Sequence, residues 1–391
     1  MGDVASSKKK SASIEVRVFG QTDVGQVREH NEDNFLIADL TRKTRSFEPT
    51  TAHTLGRSGA VFGVCDGMGG AAAGEVASQL AVDIIYDRLS QAKAPRGREE
   101  LARRLVKAVQ DAGVRIFGEA RADRSRRGMG TTSTMATLID DRLFLAQVGD
   151  SRAYLQRDGE LTQITRDQSL VNQLIEAGQL TEEEAETFEH NNIILQALGT
   201  SEVVQVDLTY VDLRLDDTLL ICSDGLSGMV RSEDICGVLT ELEDPVDACA
   251  KLIALANEAG GHDNVTVVIV KFEGGGLPEI SPDDPAVSYQ KYTFSGTEGV
   301  AQEDDTSPPE RAEFRDTAKL PRRGDSQPPE SGQSPPPSSQ DGPALLAKAA
   351  PVSGSEDSVA VPLAGWPPRT VGAIIMAGVT LIIVMGFYLL R

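Results

Sequence analysis

The stretch AVFGVCDGMGGAAAGEVASQLAVDIIYDRLSQ, residues 60–91, runs from an apolar segment through a glycine-rich turn into a long amphipathic segment. Its start is typical of a buried strand, and Val76, Leu80 and Ile84 recur at the i, i+4 spacing of a helix. A second helical pattern, REELARRLVKAVQDAGVRIFGEA at residues 98–120, follows with no strand between the two. These helices therefore form a pair and do not alternate singly with strands.

Strand-like runs lie on both sides of this helix pair. They are IEVRVFGQTDVG, TTSTMATLID, DRLFLAQVGD, RAYLQRDGELTQIT, VVQVDLTYVDLRL, DTLLICSD and NVTVVIVKF. Asp158 and Gly159, inside the fourth run, are a hairpin signal. Two more helices, beginning near Ser232 and Pro245, again form a pair. Blocks of strands separated by paired helices predict an α+β fold with mostly antiparallel sheets.

Four short acidic signatures stand at the boundaries of these strands. VCDGMGG, VGDSR, CSDGLSG and HDNVT place Asp66, Asp150, Asp224 and Asp263 next to apolar runs. Any one of them alone is better explained as a turn. Four carboxylates that meet at one sheet edge repel each other unless a cation neutralises them, and hard divalent ions prefer oxygen ligands. The set therefore predicts a metal site, with the backbone carbonyl of Gly67 as a further ligand.

A basic residue precedes these signatures in the run GQVREHNEDNF. The Arg28 guanidinium offers a bidentate fork that suits a phosphate group. Glu32 and Asp33 are carboxylates that can bind metal-coordinated water, although a solvated loop is the simpler interpretation of both. An exposed arginine taken alone is more often a surface charge, so at this point Arg28 is a candidate phosphate ligand with that alternative still open.

Read in order, the motifs resemble a known enzyme family. VREHNEDNF, VCDGMGG, MGTTSTMATL, QVGDSRAYL, ITRDQSL, ALGT, LLICSDGLSGMV and HDNVTVVIVKF resemble the metal-dependent protein serine/threonine phosphatases of the PPM or PP2C family, in particular its bacterial members. The resemblance covers residues 14–272. It implies a β-sandwich of two mostly antiparallel sheets flanked by helix pairs. It also implies hydrolysis of phosphoserine and phosphothreonine in proteins by metal-activated water, without a covalent intermediate.

The resemblance assigns the metal ligands residue by residue. Asp66 would bridge two Mn²⁺ or Mg²⁺ ions, and the Gly67 carbonyl would bind one of them. Asp224 and Asp263 would hold the other ion, and Asp150 with Asp224 would form a third, weaker site. These five residues are the predicted metal ligands.

The resemblance also assigns substrate contacts. Arg28 would bind the substrate phosphate. Arg28, Asp33 and Asp66 are the predicted catalytic residues, and Glu32 is predicted to support them without binding the metals directly. Residues 168–198 would form a mobile flap near the site. One position departs from some eukaryotic members of the family, which carry a histidine as general acid where this chain has Met68. The proton for the leaving group must then come from another group.

Other functions fit the sequence less well. Gly67, Gly69 and Ala72 match a dinucleotide-binding pattern, but a helix follows where that fold needs a strand ending in an acid. A cysteine phosphatase built on Cys65 needs arginine at position 71, which is Ala71. The remaining alternative is a catalytically inactive, membrane-tethered binding module of the same fold. Its mark would be the loss of the metal aspartates or of the phosphate-binding arginine, and all of them are present.

The rest of the chain bears on its partners and location. The formal net charge of −21 argues against nucleic-acid binding. Residues 1–13 are predicted to be a disordered leader and residues 273–369 a disordered linker rich in Pro, Ser and acidic residues. Residues 371–390, VGAIIMAGVTLIIVMGFYLL, are uncharged and long enough to span a bilayer. They predict a single-pass C-terminal anchor at residues 370–391, with the catalytic domain in the cytoplasm near a membrane Ser/Thr kinase.

Overall fold

The computed structural model describes residues 13–294, apart from residues 46, 70–72, 187, 189–191, 282–283, 285 and 288. Within these residues the strands are β1 (Glu15–Asp23), β2 (Asn34–Asp39), β3 (His53–Thr54), β4 (Ala60–Cys65), β5 (Gly67–Met68), β6 (Gly130–Thr131), β7 (Ser133–Ile139), β8 (Arg142–Val148), β9 (Arg152–Arg157), β10 (Glu160–Gln163), β11 (Asp207–Asp212), β12 (Thr218–Cys222), β13 (Val265–Glu273) and β14 (Gln290–Lys291). The helices are α1 (Ala73–Ser90), α2 (Arg98–Ala122), α3 (Leu170–Glu176), α4 (Glu182–Glu186), α5 (Asp224–Ser227), α6 (Ser232–Glu241) and α7 (Pro245–Glu258).

Two sheets form the centre of the described structure. The first has the strand order β10-β9-β12-β13-β1-β3, and the second has the order β14-β11-β8-β7-β4-β2. All the pairings between neighbouring strands in the described residues are antiparallel. A buried apolar cluster, which includes Phe62, Leu145, Leu219 and Phe272, joins the two sheets. The predicted sandwich of antiparallel sheets is confirmed.

Helix pairs cover the outer faces of the sandwich, as the family resemblance implied. α1 and α2 share an apolar cluster with the second sheet, and α6 and α7 share another with the first. The order of layers is therefore α-β-β-α. On α1 the fully buried residues include Ala77, Ala81 and Ile85, whereas the predicted stripe of Val76, Leu80 and Ile84 is only partly buried. A helix with neighbours on two sides buries more than one stripe.

Local turn signals were mostly reliable. Asp158 and Gly159 join β9 to β10 with φ values of 50° and 78°, as the mirror-image hairpin turn requires. Among the described residues of the segment 168–198, for which the sequence also predicts a polar helix with a capping box at Thr181–Glu184, only α3 and α4 are helical. The capping box is present, because the Thr181 backbone N–H donates to Glu184 Oε2 at 2.9 Å and the Glu184 backbone N–H donates to Thr181 Oγ1 at 3.2 Å.

The folded part of the chain continues past the predicted domain end at Phe272. Strand β14 pairs with β11 at the edge of the second sheet, and the Tyr292 backbone N–H donates to the Leu208 carbonyl at 2.9 Å. Tyr292 also packs edge-on against Phe144 with ring centroids 5.1 Å apart. The remainder of the predicted linker and residues 1–12 of the predicted leader lie outside the described residues.

The predicted membrane location is corrected. Among the residues that the structure describes, no helix is both long enough and apolar enough to cross a membrane. The predicted span, residues 371–390, lies outside those residues. An uncharged run of the right length meets the hydropathy criterion by composition alone, which does not establish a membrane-spanning helix.

Candidate metal centre

Antiparallel topology brings the acidic signatures to one edge of the sandwich. Asp66 follows β4, and Asp150 follows β8 in the same sheet. In the other sheet, Asp224 follows β12, and Asp263 precedes β13, which runs antiparallel to β12. Each carboxylate therefore emerges where a rigid strand ends. The structure brings together at this edge the four aspartates that the sequence predicted as metal ligands.

The carboxylates raise one another's pKa. Loss of hydration on burial raises the pKa of Asp66 well above its ordinary value, and its carboxylate neighbours raise the pKa further. These neighbours are Asp33, Asp224, Asp150 and Asp263. Burial and the nearby Asp263 raise the pKa of Asp224 in the same way. Buried carboxylates this close to one another disfavour the charged form, so the cluster requires protons or cations.

Two oxygens of the cluster have no hydrogen-bond partner among the described residues. Asp150 Oδ1 and Asp224 Oδ1 are buried and unpartnered. Burial, and then the nearby Asp224, raise the pKa of Asp150 to about 7. An unpartnered buried polar atom costs about 1–3 kcal/mol, so native structures leave few of them. A hard divalent cation would satisfy both oxygens, and the donor set of this edge therefore fits Mn²⁺ or Mg²⁺.

Gly67 is confined by its neighbours. A Cβ atom at this position would lie 2.3 Å from the carbonyl oxygen of Glu32 and 2.3 Å from that of Gly74. Any side chain would push apart the chain segments on both sides. Packing therefore requires glycine here and keeps the Gly67 backbone directly beside Asp66.

The carboxylates do not form a finished coordination shell. Among the described residues, no three His, Cys, Asp or Glu side chains converge into a group that could hold a metal ion. Asp263 is instead ion-paired to Arg28, with 2.6 Å between Oδ2 and Nη2. The individual ligand assignments remain predictions.

Arg28 lies at the same edge as the aspartates. Its side chain is 51% exposed, and that of Asp263 is 37% exposed. The structure therefore brings the predicted phosphate-binding residue next to a predicted metal ligand while leaving half of its surface accessible to a substrate.

Asp33 does not belong to a solvated loop. It is 4% exposed, and its Oδ2 accepts hydrogen bonds from Ser223 Oγ at 2.8 Å and from Thr266 Oγ1 at 2.7 Å. Burial raises its pKa to about 7, although these two hydroxyl donors act in the opposite direction. Asp33 links the start of β2 to the strands that carry Asp224 and Asp263.

Glu32 points toward a helix terminus. Its carboxylate lies against Gly74 in the first turn of α1 and accepts a hydrogen bond from the Gly74 backbone N–H. Burial raises the pKa of Glu32, and the hydrogen bond from Gly74 lowers it. A carboxylate at this position interacts favourably with the helix dipole, so Glu32 joins the Arg28 loop to α1.

Hydroxyl side chains around the aspartates were not predicted from the sequence. Thr132 Oγ1 accepts a hydrogen bond from the Asp66 backbone N–H at 2.9 Å, and Thr131 Oγ1 donates to the Asp66 carbonyl at 2.9 Å. Thr132 Oγ1 also bonds Ser151 Oγ at 2.8 Å, which ties the Asp66 turn to the Asp150 turn. One signal could have revealed this, because serine or threonine recurs close to the aspartates in GDSR, CSDG and DNVT.

Both ends of the predicted flap are attached at the site. The Gln168 backbone N–H donates to the Gly149 carbonyl at 2.9 Å, next to Asp150. The Leu198 backbone N–H donates to the Thr131 carbonyl at 2.8 Å. A movement of the segment between them would therefore displace residues that lie next to the carboxylate cluster.

Comparison with known proteins decides the family. The model of the protein phosphatase 2C family matches residues 50–258, more than half of the chain. This chain belongs to the protein phosphatase 2C family. The predicted family and its sandwich fold are confirmed.

Bacterial phosphatases are among the relatives of this phosphatase 2C chain. It is 36% identical over 251 residues to the serine/threonine phosphatase stp of Listeria welshimeri, which covers 64% of this chain and 94% of that protein. The crystal structure of the Mycobacterium tuberculosis serine/threonine phosphatase PstP/Ppp is 36% identical, with a TM-score of 0.57 over 66% of this chain and 99% of that one.

A second similar structure contains metal. It is the catalytic domain of the serine/threonine protein phosphatase PstP in complex with two manganese ions. It is 35% identical to this phosphatase 2C chain, with a TM-score of 0.56, and the match covers 67% of this chain and 100% of that one.

Proposed function

We propose that this chain is a metal-dependent protein phosphatase that hydrolyses phosphoserine and phosphothreonine in proteins. The observation that carries the proposal is the cluster of carboxylates at one edge of the sandwich, with unpartnered buried oxygens on Asp150 and Asp224, beside a half-exposed arginine. Relatives named serine/threonine phosphatases, at 36% identity, support the same chemistry. The retained aspartates and Arg28 argue against the inactive binding module.

The proposed ligands are those assigned from the sequence. Asp66, the Gly67 carbonyl, Asp224 and Asp263 would hold two ions. Asp150 and Asp224 would hold a third, which their unpartnered Oδ1 atoms support. Two Mn²⁺ or Mg²⁺ ions, when bound, supply a water nucleophile at neutral pH and neutralise charge that develops at phosphorus.

The remaining residues bind and orient the substrate. Arg28 presents its guanidinium to the phosphate, and it must exchange its ion pair with Asp263 for the substrate. Asp33 holds Ser223 and Thr266, which flank the loops that carry Asp224 and Asp263. This network is buried and therefore keeps the carboxylates oriented between catalytic cycles.

The substrate class implies a partner reaction. Phosphoserine and phosphothreonine in proteins are made by Ser/Thr protein kinases, so we propose that this phosphatase opposes such a kinase. The chemistry of the site recognises phosphate and metal, and it leaves the choice of phosphoprotein to surfaces outside the carboxylate cluster.

The test follows phosphate release from a phosphothreonine peptide by the full-length protein. Release should require Mn²⁺, stop with chelator, and disappear in Asp66→Ala. Asp212→Ala removes a carboxylate from the opposite end of the same sheet and should keep its activity. A folded wild-type protein that releases no phosphate with either Mn²⁺ or Mg²⁺ would contradict the proposal and support the inactive binding module.

A further inference from the structure

We propose that Asn264 is a positioning residue for Arg28. Its side-chain amide fastens the loop of residues 24–32, called the arginine loop below, to the start of β13. The inference rests on the proposed function, because it gives the loop a task in substrate binding. Asn264 itself contacts neither the proposed metals nor the phosphate.

The hydrogen-bonding groups of the Asn264 side chain are committed to this loop. Nδ2 donates to the carbonyl of Val24 at 2.9 Å and to the carbonyl of His30 at 2.9 Å, and Oδ1 accepts from the Glu32 backbone N–H at 2.8 Å. An asparagine amide has two N–H donors, and here each N–H has a carbonyl to bond. The residue is 4% exposed, so these bonds form away from competing water.

The backbone of Asn264 is held by other elements. Its carbonyl lies so close to α5 that a Cβ atom on Gly225 would be 2.0 Å away from it. The backbone of Asn264 is therefore packed tightly against the core, and the arginine loop is attached to this residue.

The arginine loop lacks apolar anchors of its own near Arg28. Val24 is 37% exposed and Val27 is 61% exposed, so neither fixes the loop by burial. Other bonds also attach the loop, among them Gln26 N–H to the Gly261 carbonyl at 2.8 Å, Asn31 Nδ2 to Thr22 Oγ1 at 2.9 Å and the ion pair of Arg28 with Asp263. Hydrogen bonds therefore decide where Arg28 lies, and among the described residues Asn264 makes three of them, more than any other single residue.

Other side chains would not replace this amide. Aspartate has the same shape but has no N–H to donate and would face two carbonyl oxygens. Serine is too short to reach both ends of the loop. A side chain that frees the loop would let Arg28 sample positions away from the phosphate, and substrate binding would weaken while the metal ligands stayed in place.

The experiment uses the full-length protein and the variants Asn264→Ala and Asn264→Ser. For a phosphothreonine peptide we expect KM to rise about tenfold while kcat changes less than about threefold, because the loss is in substrate positioning. Mn²⁺ affinity, measured by titration calorimetry, should stay within about threefold of wild type. The serine variant keeps a small polar side chain and protects the test if the alanine variant does not fold.

A second readout does not depend on catalysis. Hydrogen exchange at the Gln26 amide should accelerate in both variants, because the arginine loop opens more often without the bonds to Asn264. The substitutions do not change the Gly261 acceptor of this amide, so faster exchange reports opening of the loop. The control is Gln156→Ala. Gln156 lies in β9 of the first sheet, and its buried side-chain amide donates to Thr240 Oγ1 at 2.7 Å. This substitution should lower stability while leaving KM and Gln26 exchange unchanged.

The outcomes separate this inference from the proposed function. Folded variants with unchanged KM and unchanged Gln26 exchange would overturn the role of Asn264, as would a fall in kcat at constant KM. A wild-type protein that releases no phosphate would overturn the proposed function, and faster Gln26 exchange in the variants would then still support the attachment of the loop.

Discussion

The buried carboxylates at the two ends of strand β12 differ in whether an arginine neutralises them. Asp217, just before the strand, has a fully buried side chain and receives two hydrogen bonds from Arg157, at 2.8 and 2.7 Å. Asp224, just after the strand, keeps a buried oxygen with no partner among the described residues. Burial raises the pKa of both, but at Asp217 the arginine opposes the rise and at Asp224 the nearby Asp263 adds to it.

Strand β8 repeats the contrast. At its start, Arg142 makes a bidentate pair with Asp212, at 2.6 and 2.9 Å, whereas Asp150 past its other end has a pKa of about 7. At the end of the strands that carries Asp217 and Asp212, arginine side chains neutralise the carboxylates. At the end that carries Asp224 and Asp150, we expect bound metal ions to neutralise them. We therefore expect Asp212 and Asp217, which arginine compensates, to act in stability, and Asp150 and Asp224, which have unpartnered oxygens, to act in metal binding.

The largest effect is expected at the uncompensated end. Asp224→Ala should lower kcat for a phosphothreonine peptide on the order of 10⁴-fold, because a metal ligand is lost, while the protein stays folded. Steady-state kinetics with Mn²⁺, together with circular dichroism, would check this. Retention of full activity would remove Asp224 from the metal site.

The compensated end should respond through stability. Asp217→Ala leaves Arg157 buried without its partner and should lower the free energy of unfolding by about 3–5 kcal/mol. Denaturant unfolding measures the loss. Values of kcat and KM for the fraction that remains folded should stay near wild type, and a large fall in kcat would mean that the two ends are not separate.

The pH dependence of the metal-free protein sharpens the comparison. Asp33 and Asp150 have pKa values of about 7 in the folded chain, above the value of about 3.9 for an unfolded aspartate. Between these values the folded state binds more protons than the unfolded state, so the free energy of unfolding falls as pH rises. With chelator present, the protein should be less stable at pH 7.5 than at pH 5, by on the order of 2 kcal/mol.

Thermal unfolding across this range checks the sign of the effect. Mn²⁺ at pH 7.5 should restore the lost stability, because it replaces the protons. Asp150→Asn should flatten the slope. Asp212 is the matched comparison, because Arg142 lowers its pKa and its contribution is lost only in more acidic solution. A melting temperature that rises from pH 5 to pH 7.5 in chelator would contradict the assignment.

The sequence alone determined the layers of this fold and the identity of its acidic edge. Strand alternation, helix periodicity and the turn at Asp158 are local signals, and paired helices between strand blocks were enough to predict an α+β fold with mostly antiparallel sheets, to which the family resemblance added the sandwich. The aspartates could be named because each follows or precedes an apolar run. Motif order then connected Arg28 to the same site before any contact was known.

Only the tertiary structure decided which carboxylates are compensated and what holds them. Asp33 bonds Thr266 across 233 positions of the chain, and Asn264 bonds His30 across 234. Charged and polar side chains carry no periodic signal that reveals such distant partners. Compensation depends on which groups the packed sheets bring within hydrogen-bond distance. For this reason Asp217 is paired with an arginine, whereas Asp224, seven residues away, keeps a buried oxygen with no partner among the described residues.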